Sequence, residues 1–510
     1  MTCRPLIACL AALLLTTLTA AAETLRWGRS GDAVTLDPHA AADSFTQQLV
    51  RNIYEPLVER APDGSVSGKL AASWLSNAND PNLWTFNLRS AVFHDGTAFD
   101  AEDVVFSFNR ARAEGSALAK ALSDIIAIRA LNPRSVSIRF ADPTPVLPGV
   151  LSRIMIMDKE WTEANGAAVA QSPGEGDAPF TERNANGTGP YRLDSREPDV
   201  RTKLTANERY HSAQPAAAEI IYLPIANPAM QTTALSWGEI DVLQDVALAD
   251  AERLAETDGI RVETVPSNTV LYLGYDLATT EADAAGDATG NPFANAAVRK
   301  AIELAINRSD VAARVDHGHG QPTALLAPQF VSGWSVGLAA SASANPERAR
   351  ELLADAGYPE GFEVTLGVAN GDEPAAEQIE SMLESIGIRV EVVVRPQPAH
   401  DALIASGDST FHLADYVAST YDSADILDWL VSGRDGYENA SLASRVDALS
   451  AMSGGRDRDA AIATLWADAQ EERIVIPLAE RMIAHAMRGT VSVAVDPNNQ
   501  TRFETITFGD

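Results

Sequence analysis

Phe362-Glu363-Val364-Thr365-Leu366-Gly367-Val368 reads as a strand, Glu377 to Ile386 as an amphipathic helix, and Ile388-Arg389-Val390-Glu391-Val392-Val393-Val394 as a second strand. A period of two sends successive side chains to opposite sheet faces, whereas a period of 3.6 gathers them into one stripe. Two strands joined by a crossover helix of this length predict parallel pairing, hence an α/β architecture. The same reading extends outward. Leu25 to Gly28, Trp84 to Arg89, Ser135 to Phe140 and Glu219 to Ile225 are expected strands. Phe45 to Tyr54, Pro228 to Ile240 (stopped at Gly238) and Ala296 to Asn307 are expected helices. Asp100 with Asp103 three residues on predicts a capped helix start, and Asn345-Pro346-Glu347 predicts another, ended by Gly357. His94-Asp95-Gly96-Thr97 is turn chemistry. Pro, Gly and acidic residues crowd Asn165 to Gly187, the expected lid or inter-domain loop, and Ala278 to Asn291 is an expected acidic loop.

The chain has 510 residues, of which 46% are hydrophobic and 21% charged. At roughly 100–200 residues per domain, this length predicts about three domains with sizeable cores and excludes a disordered chain. Seventy Asp and Glu against 39 Lys and Arg leave a net charge of −31. A phosphate backbone needs a basic footprint and an anionic membrane repels such a chain, so neither nucleic acid nor a membrane surface is an expected partner.

Residues 1–22 read as a secretory signal peptide: Arg4, an apolar run from Leu6 to Leu18, then Ala20-Ala21-Ala22 before Glu23. The run is shorter than the roughly 20 residues a spanning helix needs. Cys9 precedes most of that run, which argues against a lipid-acceptor site. The two cysteines, Cys3 and Cys9, leave with the signal, so disulfides, thiolate metal sites and a cysteine nucleophile are not expected.

Gly333-Trp334-Ser335-Val336-Gly337 fits the G-x-S-x-G pattern, with Asp401, His412 and His485 downstream in permissible order. A nucleophile elbow needs a strand before its serine and a helix directly after it. Pro328 upstream and the small residues from Gly337 to Asn345 predict a loop instead. A secreted serine hydrolase using Ser335 is the enzymatic alternative. His317-Gly318-His319 offers two imidazoles, about 7 Å apart on extended backbone, without a third ligand at recognisable spacing, so no metal or cofactor is expected. There is no phosphate loop, G-x-G-x-x-G or H-E-x-x-H.

An ordered series of short matches covers nearly the whole chain after residue 22. It runs Leu36-Asp37-Pro38; Leu70-Ala71-Ala72-Ser73-Trp74; Trp84-Thr85-Phe86-Asn87-Leu88-Arg89; Val92-Phe93-His94-Asp95-Gly96-Thr97; and Ala101 to Phe108. It continues with Gly187-Thr188-Gly189-Pro190-Tyr191, Gly238-Glu239-Ile240-Asp241, Val298-Arg299-Lys300-Ala301, Ala305-Ile306-Asn307, Pro346 to Tyr358 and Ile476-Pro477-Leu478. The chain resembles the family 5 extracellular solute-binding proteins, the peptide/nickel receptors of ABC importers. The resemblance implies a type II periplasmic-binding-protein fold with a hinge between two lobes. Domain I would comprise 23–60, 185–267 and 485–510, with domain II at 61–184 and domain III at 268–484. It further implies a periplasmic, monomeric receptor partnered by a membrane permease, binding an oligopeptide or similar polar solute, or alternatively a metal chelate.

In peptide-binding members of that family an acidic residue of a W-x-x-D-Y-like segment faces the peptide ammonium. The corresponding stretch resembles Tyr416 to Asp425, with Val417 in place of the Trp and Thr420 in place of the Asp. A free α-ammonium is therefore not the expected anchor, unless Asp422 takes over that role. Asp422 and Asp425 also suit the N-terminus of a helix over Ile426 to Val431. Thr420, Tyr421, Asp422, Trp334, Trp237 and His39 are the candidate ligand contacts, the aromatics because pockets favour them.

Overall fold

The computed structural model describes residues 23–509, except 62–63, 145, 148, 175–177, 278–290 and 433–435. The expected signal peptide and most of the expected acidic loop lie outside the described residues. The strand–helix–strand unit forms as Phe362–Ala369, Glu373–Glu384 and Ile388–Arg395. Its strands pair in parallel, Phe362 opposite Ile388 through Ala369 opposite Arg395. They occupy one end of an 11-stranded mixed sheet. From there the sheet passes through Phe411–Val417, Ile260–Tyr275, Val475–Arg488, Val242–Leu243, Glu23–Arg29 and Ala217–Pro224 to Arg201–Ala206 and Tyr191–Glu197.

Two long antiparallel strands, Ile260–Tyr275 and Val475–Arg488, carry the chain between the two halves of this sheet. Their pairing slips between Pro266 and Val270, opposite Met482 and Glu480. Proline cannot donate to the ladder, so the interruption falls where the backbone lacks an N–H. On the carboxyl side of the break one core gathers Leu271, Ile302, Leu366 and Ile379, and a second Tyr272, Leu325, Leu427 and Trp466. On the other side Trp27, Leu49, Tyr191, Tyr222 and Phe503 form a core that joins chain from both ends of the sequence. A separate four-stranded antiparallel sheet encloses Phe86, Phe108 and Ile138.

The expected helix starts form as read. Asp100 accepts from the Glu102 N–H (2.7 Å), Asp103 reaches back to the Asp100 N–H (2.9 Å), and the helix runs Ala101–Ala111. Asn345 caps Pro346–Asp355, and Gly238 ends Pro228–Trp237 at φ 76°. In Gly187-Thr188-Gly189 a Cβ on Gly187 would run into the Ile53 carbonyl, so only glycine lets the two backbones meet. Two expectations differ. The stretch expected as a loop after Gly337 begins within a one-turn helix, Val336–Ala339, because the Ser335 Oγ caps the Leu338 N–H (3.3 Å). The described part of Asn165–Gly187, expected as a lid or an inter-domain loop, does not cover the cleft as a lid and packs onto its own half of the molecule. Thr181 donates to Asp37 (3.0 Å), and the Ala167 carbonyl accepts from Arg110 (2.9 Å).

Candidate ligand-binding cleft

The cleft lies where the two halves face each other beside the crossing strands. Asp43 caps the helix Ser44–Ile53 by accepting from the Phe45 and Thr46 N–H groups (3.1 and 2.9 Å). Spacings of three and four then place Ser44, Gln47 and Arg51 on one cleft-facing stripe. The hairpin Val58–Arg60 with Val66–Gly68 contributes Glu59 and Arg60, and Lys69 follows it. The turn Gly149–Arg153 adds Ser152 and Arg153. The opposite half supplies Val417, Thr420 and Tyr421, and the C-terminal segment supplies Asp496, Asn498 and Gln500. That segment is fastened from behind: the Gln48 side chain bonds both the Thr501 carbonyl (2.7 Å) and its N–H (2.8 Å).

These groups enclose a cavity of about 360 Å³. A wider one of about 830 Å³ continues between Asp124–Val150 and Thr420–Asp459. Arg60, Gly149, Thr420 and Tyr421 border both. The Arg60 guanidinium lies 5.0 Å from the Tyr421 ring centroid, and the Phe330 ring meets that ring tilted at 55°, with centroids 4.9 Å apart. Asn498 donates to the Tyr421 hydroxyl, and burial pushes that phenol up to about 12. Gly64, in the hairpin turn at φ 82°, abuts the Phe330 carbonyl and the Tyr421 ring across the cleft.

The two compartments differ in charge. Arg51, Arg60, Lys69, Arg153 and Arg502 line the first, against Glu59 and Asp496. Asp124 and Asp142 face Asp425, Asp428 and Asp447 across the second. Burial raises the Asp425 carboxyl above its usual range, and a hydrogen bond from the Thr420 side chain opposes the rise.

Of the six expected contacts, Thr420, Tyr421 and Asp422 border the cleft. Asp422 is already engaged: it accepts from the Ala424 N–H (3.0 Å) and Ser332 hydroxyl (3.3 Å) and pairs with Arg458 (2.8 Å). It caps the helix Ser423–Val431, so the carboxylate open beside Thr420 is Asp425, one turn further on. The other three lie elsewhere. Trp237 is 76% exposed at the end of its helix, away from both cavities. Trp334 packs against the core of Leu427 and Trp466. His39 is wholly buried, where its Nδ1 accepts from Arg110 (3.0 Å) and its Nε2 donates to the Met155 carbonyl (2.9 Å). These partners turn the His39 ring into the interior, away from the cleft.

The serine and histidine patterns do not converge on a reactive site among the described residues. Ser335 is a helix cap, Asp401 bonds Gln397 (2.8 Å), and His485 is buried against Trp27. His317 lies on a left-handed turn at φ 56° and points to solvent, while Asp316 beside it binds Arg481 (3.2 Å). Among the described residues, the acidic or histidine side chains close enough to share a metal are Asp103, Asp158 and Glu160; Asp103 is held in a capping box with Asp100 and Asp158 is a helix cap. Arg51, Arg60, Lys69, Arg153 and Asn498 escaped sequence reading. A basic residue facing a cleft in an acidic chain leaves no local pattern, because its neighbours come from distant segments.

Residues 65–438 match the family model described as bacterial extracellular solute-binding proteins, family 5 Middle. The glutathione-binding protein GsiB of Escherichia coli O1:K1 is 25% identical over 373 residues, covering 70% of this chain and 67% of that protein. Among solved structures, HbpA2 of Haemophilus parasuis superposes with a TM-score of 0.84 at 20% identity, covering 96% of this chain and all of that one. DppA of Helicobacter pylori in complex with the peptide STSA gives 0.70 at 22% identity, covering 94% and 98%. These likenesses carry the type II periplasmic-binding-protein fold, and the family match spans most of the chain. The chain belongs to the family 5 bacterial extracellular solute-binding proteins.

Proposed function

We propose that this chain is the capture receptor of an ABC importer, enclosing an oligopeptide or similar small polar solute between two lobes and delivering it to a membrane permease. The observation that carries this reading is the two-sided cleft. Arg60 from one half and Tyr421 from the other meet over it, beside two crossing strands whose pairing is interrupted at Pro266. The lobes are 23–60, 185–267 and 485–510 with 61–184 on one side, and 268–484 on the other. The separate cores and the break beside residue 267 support that partition. The glutathione- and peptide-binding relatives support a peptide-like ligand. The receptor acts as a monomer in the periplasm after removal of residues 1–22 and performs no catalysis. No helix among the described residues is long and apolar enough to cross a membrane.

Hinged receptors close because the solute contacts both lobes only in the closed state. Native mass spectrometry of purified protein identifies retained solute, and small-angle scattering then reads the radius of gyration with and without it. A smaller radius with ligand is expected. Confirmed binding with an unchanged radius refutes the hinge, and turnover that disappears in Ser335→Ala refutes the receptor.

A further inference from the structure

Three of the five cations in the first compartment are matched by protein carboxylates. Arg502 pairs with Glu59, Arg51 lies 4.0 Å from Asp496, and Lys69 contacts Glu504 (3.0 Å) and Glu59 (3.3 Å). Arg60 and Arg153 are not matched. Arg60 donates one bond, to the Gly64 carbonyl (3.0 Å), and its Nε has no hydrogen-bond partner among the described residues. Arg153 makes neither a hydrogen bond nor an ion pair with any described residue and is open to cleft water. Burial lowers the pKa of the Arg60 guanidinium. The two sit at opposite ends of one short turn, since Arg60 packs against Gly149, the first residue of the Gly149–Arg153 segment.

We propose that Arg60 and Arg153 are paired by the ligand, and that the solute class is an acidic peptide or amino-acid conjugate presenting two carboxylates to this compartment. The inference rests on the receptor reading and deepens it. A guanidinium is tolerated in an open cleft because water solvates it. Closure removes that water, and a buried cation left without a partner is strongly disfavoured. Two such cations therefore oppose closure of the empty receptor, while a dianionic ligand removes the penalty. Charge in the ligand thus selects for closure as well as for affinity. The chain as a whole, at −31, repels anions, so the attraction is local to this compartment. The acidic second compartment leaves room for a cationic group at the ligand's other end.

Thermal shift and calorimetry test this with three probes on the full chain: the tripeptide Ala-Ala-Glu, its carboxylate-free counterpart Ala-Ala-Gln amide, and glutarate. Ala-Ala-Glu should bind about a hundredfold or more tighter than the diamide, about tenfold for each of the two charge-assisted bonds lost. Arg153→Gln and, separately, Arg60→Gln should shrink that ratio while leaving the protein folded by circular dichroism. Equal affinity for the peptides with and without carboxylates overturns the inference and leaves the receptor reading standing. Binding of glutarate without either peptide overturns the peptide reading and supports the anion site. Indifference of the ratio to both substitutions overturns the assignment to these two residues.

Discussion

His39 sits in a buried cluster whose protonation can be followed directly. Arg110 donates to both Asp37 and the His39 Nδ1, and the Nε2–H is held by the Met155 carbonyl, so the folded state accommodates the neutral ring. Burial, then the neighbouring Arg110 charge, lowers the imidazole from 6.5 to about 4. The unfolded chain takes up a proton as pH falls below 6.5, whereas the folded chain does so only near 4. Stability from this residue is therefore complete above 6.5 and is lost as pH falls toward 4. A shift of that size corresponds to about 3 kcal/mol, or about 1 kcal/mol per pH unit near pH 5. His94 and His485 are also lowered to about 4 by burial, so the wild-type slope is steeper still. In His39→Gln an amide of similar reach faces the Met155 carbonyl but takes up no proton. Urea unfolding between pH 4.5 and 7.5 should show a slope flatter by about 1 kcal/mol per pH unit in the variant. Nuclear magnetic resonance should show the His39 ring still neutral at pH 5.5. A ring titrating near 6.5, or an unchanged slope, would refute the reasoning.

Arg110→Met strands Asp37 in the interior, and urea unfolding should register a loss of about 3–5 kcal/mol, the usual cost of removing one partner of a buried pair. Ser335→Ala removes the cap of a single exposed turn, so it should cost about 1 kcal/mol in a melting curve and leave ligand affinity unchanged. Gly64→Ala forces a side chain onto positive φ against the Phe330 carbonyl, at about 1–2 kcal/mol. Calorimetry should show weaker ligand binding, because the hairpin tip can no longer approach the opposite lobe.

Local patterns legible in the sequence became the elements they predicted. The parallel unit around Phe362–Arg395 follows from side-chain periodicity, and the helix starts at Asp100 and Asn345 follow from capping groups within three residues. Each of those signals is carried by neighbours in the chain, so it survives without tertiary information. The same holds for the segment Thr420-Tyr421-Asp422, which a resemblance placed at the cleft and the fold also puts there. Orientation and pairing are different. Whether Asp422 faces a ligand or Arg458, and whether His39 faces the cleft or Arg110, depends on partners tens to hundreds of residues away. Trp237 and Trp334 are equally aromatic in the sequence, yet one ends on the surface and the other in a core. The charge of the cleft was hidden for the same reason. Arg51, Arg60 and Arg153 converge through three separate segments, and which of them keeps a carboxylate partner is fixed only when Asp496 arrives from the C-terminal segment. Periodicity and capping are short-range properties that the sequence determines by itself, whereas electrostatic pairing is settled by distance in space, which only the tertiary structure decides.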